Sequence, residues 1–184
     1  MKPEMLAKYG SSLAAGVRAG HGARRQPGEE PLLRSTRPLR PTIRVVCHYD
    51  APVDEVFNAW LDAEGAGEWL FATASHPMES VRIDARPGGA FYLAAARDGE
   101  VHVYTGGFIE IGVPRRLDFT LAMSEIPNVV TRVAVELRSL GTGSELSLTH
   151  DNVPAAHIEY VDGRWSGILY GLGLMLESTA TPST

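Results

Sequence analysis

His150 closes an alternating run, Leu146-Ser147-Leu148-Thr149-His150, whose parity sets it on the same strand face as Leu146 and Leu148. If that face lines an interior, a neutral imidazole there would hydrogen-bond a ligand or take up a proton. It could equally be a core histidine satisfied by backbone or by a tyrosine. Tyr92, His102 and Tyr104 fall on neighbouring predicted strands. With His102 and Tyr104 inward, they give a cavity a polar wall that orients a mostly apolar ligand; the opposite register puts Val101, Val103 and Thr105 inside instead.

Other constellations are thinner. His76, His102, His150 and His157 show neither a His-Glu-x-x-His spacing nor nearby clustered carboxylates, so no metal and no cofactor is expected. There is no Gly-x-Ser-x-Gly elbow and no phosphate-binding loop. Gly88-Gly89 belongs to a hairpin turn, the wrong setting for a dinucleotide fingerprint. Asp84 and Arg86 alternate with Val81, Ile83 and Ala85, which predicts a surface ion pair beside the turn at Pro87-Gly88-Gly89. Arg132, opposite in parity to Val133 and Val135, reads as structural in the same way.

The net charge of −5 hides a division. Residues 1–41 carry eight Lys/Arg against three Asp/Glu, and residues 42–184 carry nine against nineteen. An acidic domain argues against nucleic acid as a partner, since phosphates need a basic face. Cys47 is the lone cysteine, which excludes an intrachain disulfide and fits a cytoplasmic location. No run approaches the ~20 apolar residues of a membrane span, so stable membrane insertion is not expected.

Elements that could position these side chains begin after a leader. Residues 20–41 hold four prolines, three glycines and five arginines, a composition too poor in apolar surface to order the chain. Ile43, Val45, Val46 and Tyr49 predict a first strand. Pro52 then opens a helix with Val53, Val56, Phe57, Trp60 and Leu61 on one side. A second short helix follows over residues 63–70. From Val81 the period changes to two, through hairpins turning at Pro87-Gly88-Gly89, Arg97-Asp98-Gly99 and Gly141-Thr142-Gly143, with a bulge or bend at Gly106-Gly107. Beyond Pro154 the helical period returns, with Ile158, Val161, Trp165, Ile168, Leu169, Leu172 and Leu176 on one face. Only that last helix is long enough to cover a twisted sheet. Its four glycines, from Gly163 to Gly173, call for close packing or for space left to a ligand.

Several stretches resemble a known family. Asp50-Ala51-Pro52-Val53-Asp54-Glu55-Val56-Phe57-Asn58-Ala59-Trp60 is similar to its opening motif, and Ile83-Asp84-Ala85-Arg86-Pro87-Gly88-Gly89 to its D-x-R-P-G-G hairpin. The segment from Gly106 to Leu117, the strand ending in His150, and Gly163-Arg164-Trp165-Ser166-Gly167-Ile168-Leu169 resemble three more. Gly112-Val113-Pro114 replaces a usual double proline, and Arg164 splits a usual Gly-Trp pair. The family is the branch of the SRPBCC, or START-like, superfamily named for the activator of heat shock protein 90 ATPase homologue. The resemblance implies an α+β helix-grip fold: a curved antiparallel sheet of six to seven strands around a long C-terminal helix, enclosing a cavity used for lipids, polyketides and other apolar molecules. It does not imply one reaction.

The resulting expectation is a disordered basic leader over residues 1–41, one START-like domain over 42–178, and a flexible tail over 179–184. Its expected role is to carry or sense a small hydrophobic ligand between the sheet and the last helix. Candidate cavity residues on the strands and first helices are Trp60, Trp69, Tyr92, His102, Tyr104, Phe119, Val133, Val135, Leu148 and His150; Trp165, Leu169 and Leu172 join them from the last helix. The alternatives are a cyclase or lyase using His150 with a tyrosine, and a co-chaperone-like interaction module with a protein partner or as a homodimer.

Overall fold

The structure, a computed structural model, describes residues 41–73 and 76–180. The expectations for the leader and for the end of the tail concern residues outside these. Seven strands and three helices follow in the order β1 (Ile43–Tyr49), α1 (Val53–Ala59), α2 (Ala63–Trp69), β2 (Ser80–Ile83), β3 (Ala90–Arg97), β4 (Glu100–Gly112), β5 (Arg116–Met123), β6 (Val130–Leu140), β7 (Gly143–Asp151) and α3 (Ile158–Ala180). All strand pairs are antiparallel and form one sheet in the order β1-β7-β6-β5-β4-β3-β2. The meander from β2 to β7 needs only short turns, and β1 returns to pair with β7, so α1 and α2 bridge the two edges. This is the helix-grip architecture that the order of elements predicts.

Local chemistry explains the boundaries. Pro52 stands at the N-cap of α1, where its missing N–H removes no helical bond. Asp62 caps α2 by accepting from the amides of Glu64 and Gly65 at 3.2 and 3.1 Å. The period-two alternation appears as burial: Val133, Val135 and Leu137 of β6 and Leu146, Leu148 and His150 of β7 are buried. Across the concave face a single row runs Ile43, His150, Val133, Phe119, Phe108 on β1, β7, β6, β5 and β4.

Against that face α3 lays Val161, Trp165, Ile168, Leu169, Leu172 and Leu176, all buried. Two of its glycines lie beside neighbours at ordinary contact distance: a Cβ at Gly171 would stand 3.7 Å from Cβ of Trp69, and one at Gly173 would stand 3.5 Å from the Tyr49 ring. Gly163 and Gly167 face nothing within 4 Å, so close approach requires glycine at none of the four.

The bend expected at Gly106-Gly107 divides into two features. At Gly106 the Phe91 ring crosses the strand so closely that a Cβ would lie 2.6 Å from it and 1.8 Å from the Thr120 carbonyl oxygen, which only glycine permits. The register shift itself comes between Phe108 and Glu110.

Candidate functional site

The interior void does not lie where the sequence placed it. It is a chamber of about 20 Å³ lined by Trp60, Leu70, Phe71, Ile83, Phe91, Leu93, Phe108, Leu117 and Phe119. No residue of α3 contributes. The inner residues of β1, β7 and β6 beneath the long helix are packed core, and the void lies toward β2–β5 beneath the turn following α2. Its rings meet edge to face: Phe91 and Phe119 have centroids 5.6 Å apart at 86°, and Phe108 and Phe119 6.2 Å apart at 67°.

Two features of this chamber need a physical account. Trp60 packs its ring 4.9 Å from that of Trp69, and both indole N–H groups are buried with no acceptor among the described residues. A buried donor left unpaired costs about 1–3 kcal/mol. Phe71 takes a positive φ of 61°, uncommon for a bulky side chain. Its carbonyl accepts from the Arg97 guanidinium, and its ring stacks on Tyr104 at 4.1 Å and 4°. Phe71 is therefore both a wall of the chamber and the edge of a neighbouring polar cluster.

That cluster gathers around Glu125, beyond the end of β5. Tyr104 donates its hydroxyl to Glu125 Oε1 at 2.5 Å, and His102 Nδ1 lies 3.0 Å from the same oxygen. Arg164 of α3 donates to the hydroxyls of Tyr104 and Tyr160, each at 2.9 Å. Its guanidinium carbon sits 5.3 Å from the Tyr104 ring centroid. Burial works to raise the Glu125 pKa, but hydrogen bonds from Tyr104 and His102 and the nearby Arg164 charge outweigh it and hold the carboxyl below its ordinary value. Burial first, and then the bond to Glu125, push the Tyr104 phenol well above its usual range.

His150 is fully buried in a closed chain of hydrogen bonds. The Trp165 indole N–H reaches His150 Nδ1 at 2.9 Å, His150 Nε2 lies 2.7 Å from Thr131 Oγ1, and that hydroxyl donates to the Leu121 carbonyl at 2.8 Å. The directions fix the tautomer. Indole can only donate, so Nδ1 accepts and Nε2 carries the proton. Burial pushes the pKa down to about 4. This is the satisfied core histidine, with a tryptophan and a threonine as partners in place of the expected backbone or tyrosine.

Of the residues singled out in the sequence, Trp60 and Phe119 line the chamber, and Trp69 abuts Trp60. Val133, Val135, Leu148, Trp165, Leu169 and Leu172 are packed core beneath α3, not cavity wall. His102 and Tyr104 do face inward, but into the Glu125 cluster. Tyr92 is a correction: it pairs with Thr105 on the opposite face from Phe91 and Leu93, because parity that turns those two inward turns Tyr92 out. The wall residues missed were Leu70, Phe71, Ile83, Phe91, Leu93, Phe108 and Leu117. Among the described residues no group of three or more His, Cys, Asp or Glu is placed to hold a metal, and no helix is long and apolar enough to cross a membrane. Asp84 and Arg86 do form their exposed pair, at 2.9 Å. Arg132 holds the buried Asp118 carboxylate, with its Nε 2.7 Å from Oδ1.

Fold and interior together define a helix-grip domain with a small, mostly aromatic chamber. Residues 50–177 match the family described as Activator of Hsp90 ATPase homolog 1-like protein, and the chain belongs to that family. Protein CV1439 from Chromobacterium violaceum is similar in structure, with 25% identity and a TM-score of 0.68 over 74% of this chain and 96% of that one. An AHSA1-like protein from Aeromonas hydrophila gives 22% and 0.66 over 78% and 98%. An HSP90 activator from Plasmodium falciparum gives 22% and 0.59 over 74% and 96%. No curated protein matches significantly.

Proposed function

We propose that this protein binds a small, mostly apolar molecule carrying a hydrogen-bond acceptor in the chamber bounded by Trp60, Phe71 and Phe119. The observation that carries the reading is the conjunction of an all-apolar wall with a buried Trp60 N–H that has no acceptor. Apolar surroundings select the ligand's body, and one unpaired donor selects its carbonyl or hydroxyl oxygen. The chamber has room for about one water, far below the ~300 Å³ at which ligand pockets begin. Binding therefore requires wall rings to move aside. Phe71, held in an uncommon backbone conformation, is the wall whose displacement releases strain. Cys47 has no disulfide partner, which suits a reducing compartment such as the cytoplasm.

Catalysis by His150 lacks such support, since its two ring nitrogens are engaged and its site is sealed by Trp165. Activation of a chaperone ATPase has membership of the family and the likeness to an HSP90 activator behind it, but no residue of this chain's interior supports it.

Native mass spectrometry of the purified protein, followed by denaturation to release and weigh any passenger, tests the proposal. A stoichiometric apolar passenger with an oxygen function, lost or weakened in Trp60→Phe, is the expected result. An empty protein that also shows no thermal shift across a panel of fatty acids, aromatic ketones and polyketides would overturn it.

A further inference from the structure

A second concavity, of about 640 Å³, runs along the outer edge of β1 on the side away from β7. One wall is β1 itself, from Val46 to Tyr49. The other is a stripe of α3 in which Ser166, Tyr170, Leu174 and Glu177 recur at helical spacing. Tyr49 ties the walls together: its hydroxyl donates to the Leu169 carbonyl at 2.9 Å and its ring lies against Gly173. Large apolar side chains stand open along it, with Val46 45%, Tyr170 69% and Leu174 50% exposed.

β1 is an edge strand of unusual regularity. Its seven residues pair with β7 in unbroken register from Ile43↔His150 to Tyr49↔Ser144, and among the described residues no strand pairs with its other side. Natural edges of this length are ordinarily blunted by proline, lysine, a bulge or a covering element. β1 has no proline, lysine or bulge. Arg44 and His48 turn to β7, meeting Ser147 at 3.3 Å and Glu145 at 3.0 Å, and so do not guard the edge.

We propose that this groove is a docking site for an extended polypeptide that adds as a further strand to β1, with apolar side chains against Tyr170 and Leu174 and a basic residue beside Asp50 and Glu55. An edge strand flanked by a helix supplies what strand addition requires: a row of backbone donors and acceptors, and a side wall that reads alternate side chains. Charge chooses the occupant. Asp50 and Glu55 line the end of the groove where β1 runs into α1, and neither has an ion-pair partner among the described residues. Residues 42–184 carry nineteen acidic against nine basic side chains, so a second copy of the domain meets like charge there, whereas a basic segment is attracted.

The test uses the full chain and a capped octapeptide with two lysines at its amino end followed by alternating valine and threonine. Binding by calorimetry, with slowed amide exchange over residues 43–49, is the expected result. Affinity should fall at least tenfold when alternate peptide amides are N-methylated, when the lysines become glutamates, and in Leu174→Arg, whose exposed position leaves folding intact. No binding, or binding indifferent to N-methylation and to Leu174→Arg, would overturn the proposal. So would a concentration-dependent dimer that protects the same amides and excludes the peptide, which would assign the edge to a second copy of this chain.

Discussion

The Trp165 indole N–H points at Nδ1 of His150 from 2.9 Å, and this one bond sets the histidine's tautomer, its charge and its role. A proton arriving on Nδ1 would face a donor, so protonation must break the contact as well as charge a buried ring. The folded pKa of about 4 lies below the ordinary 6.5, so the unfolded chain binds more protons between those values and stability falls as pH drops through that window. At 1.36 kcal/mol per unit, the loss amounts to about 3 kcal/mol by pH 4. Urea unfolding of the wild type at pH 7.5 and 5.0 should show the decline. His150→Gln, less stable at pH 7.5 by about 2 kcal/mol through the broken chain, should show a much shallower one. Equal pH slopes for the two proteins would contradict this account.

The chamber's energetics separate the apolar wall from the lone donor. Phe119→Ala should cost about 3–5 kcal/mol and leave a dry cavity beside Trp60. That variant should gain a thermal shift from benzene or indole that the wild type lacks. Trp60→Phe removes an N–H without an acceptor, so it should cost less than about 2 kcal/mol despite the lost volume. Calorimetric melting of both variants, with and without the small aromatics, checks the pair. A Trp60→Phe loss as large as that of Phe119→Ala would mean the indole N–H is not orphaned.

The layout of strands and helices was legible because each element carries its own period and its own punctuation. Pro52, Pro87-Gly88-Gly89 and Gly141-Thr142-Gly143 fall at element ends, and Trp165 through Leu176 keep one face over about three turns. Parity also put His150, Val133 and Leu148 on the correct face. Parity does not say whether a face is packed or hollow, since that depends on side-chain volumes summed across strands distant in sequence. The void consequently moved from beneath α3 to a site built around four phenylalanines, Phe71, Phe91, Phe108 and Phe119. The one local hint was Gly106, whose missing Cβ admits the Phe91 ring. Tyr92 was misplaced by grouping it with Tyr104 on type, although Phe91 and Leu93 beside it already demanded the inner face.

Asp118 is 1% exposed on the outer face of β5, between Arg132 and Arg116. The hydrogen bond from Arg132 is the main reason its carboxyl is held below the ordinary value. The stability this pairing contributes is present above the usual carboxylate range and lost as pH falls through the lowered pKa. Arg132→Ala leaves a buried carboxylate with only the longer 3.3 Å contact to Arg116, and it should cost about 2–3 kcal/mol at pH 7. Asp118→Asn in the same background should recover part of that loss. A double-mutant cycle in urea measures the coupling, and additive losses would show the pair to be energetically inert.

Arg164, the residue that departs from the family's Gly-Trp pair, fastens α3 to the Glu125 cluster through the hydroxyls of Tyr104 and Tyr160. Its removal acts on stability and on charge together. Arg164→Met keeps most of the stem but gives up the bonds to the two tyrosine hydroxyls, the 3.4 Å contact with Glu125 Oε1 and the contact with the Tyr104 ring, for a cost of about 1–3 kcal/mol. Glu125 loses one of the influences that depress its pKa, while the burial that raises it stays, so its carboxyl should titrate at higher pH. A carboxyl carbon NMR titration of Glu125 reads this directly. Because its folded pKa is then nearer the unfolded value, the stability gained from ionised Glu125 shrinks at neutral pH, and acid unfolding begins earlier. Tyr160→Phe, at a residue 42% exposed, should change both readouts far less. If Glu125 titrates identically in wild type and Arg164→Met, the guanidinium is bound to the tyrosines alone and the carboxylate owes its state to Tyr104 and His102.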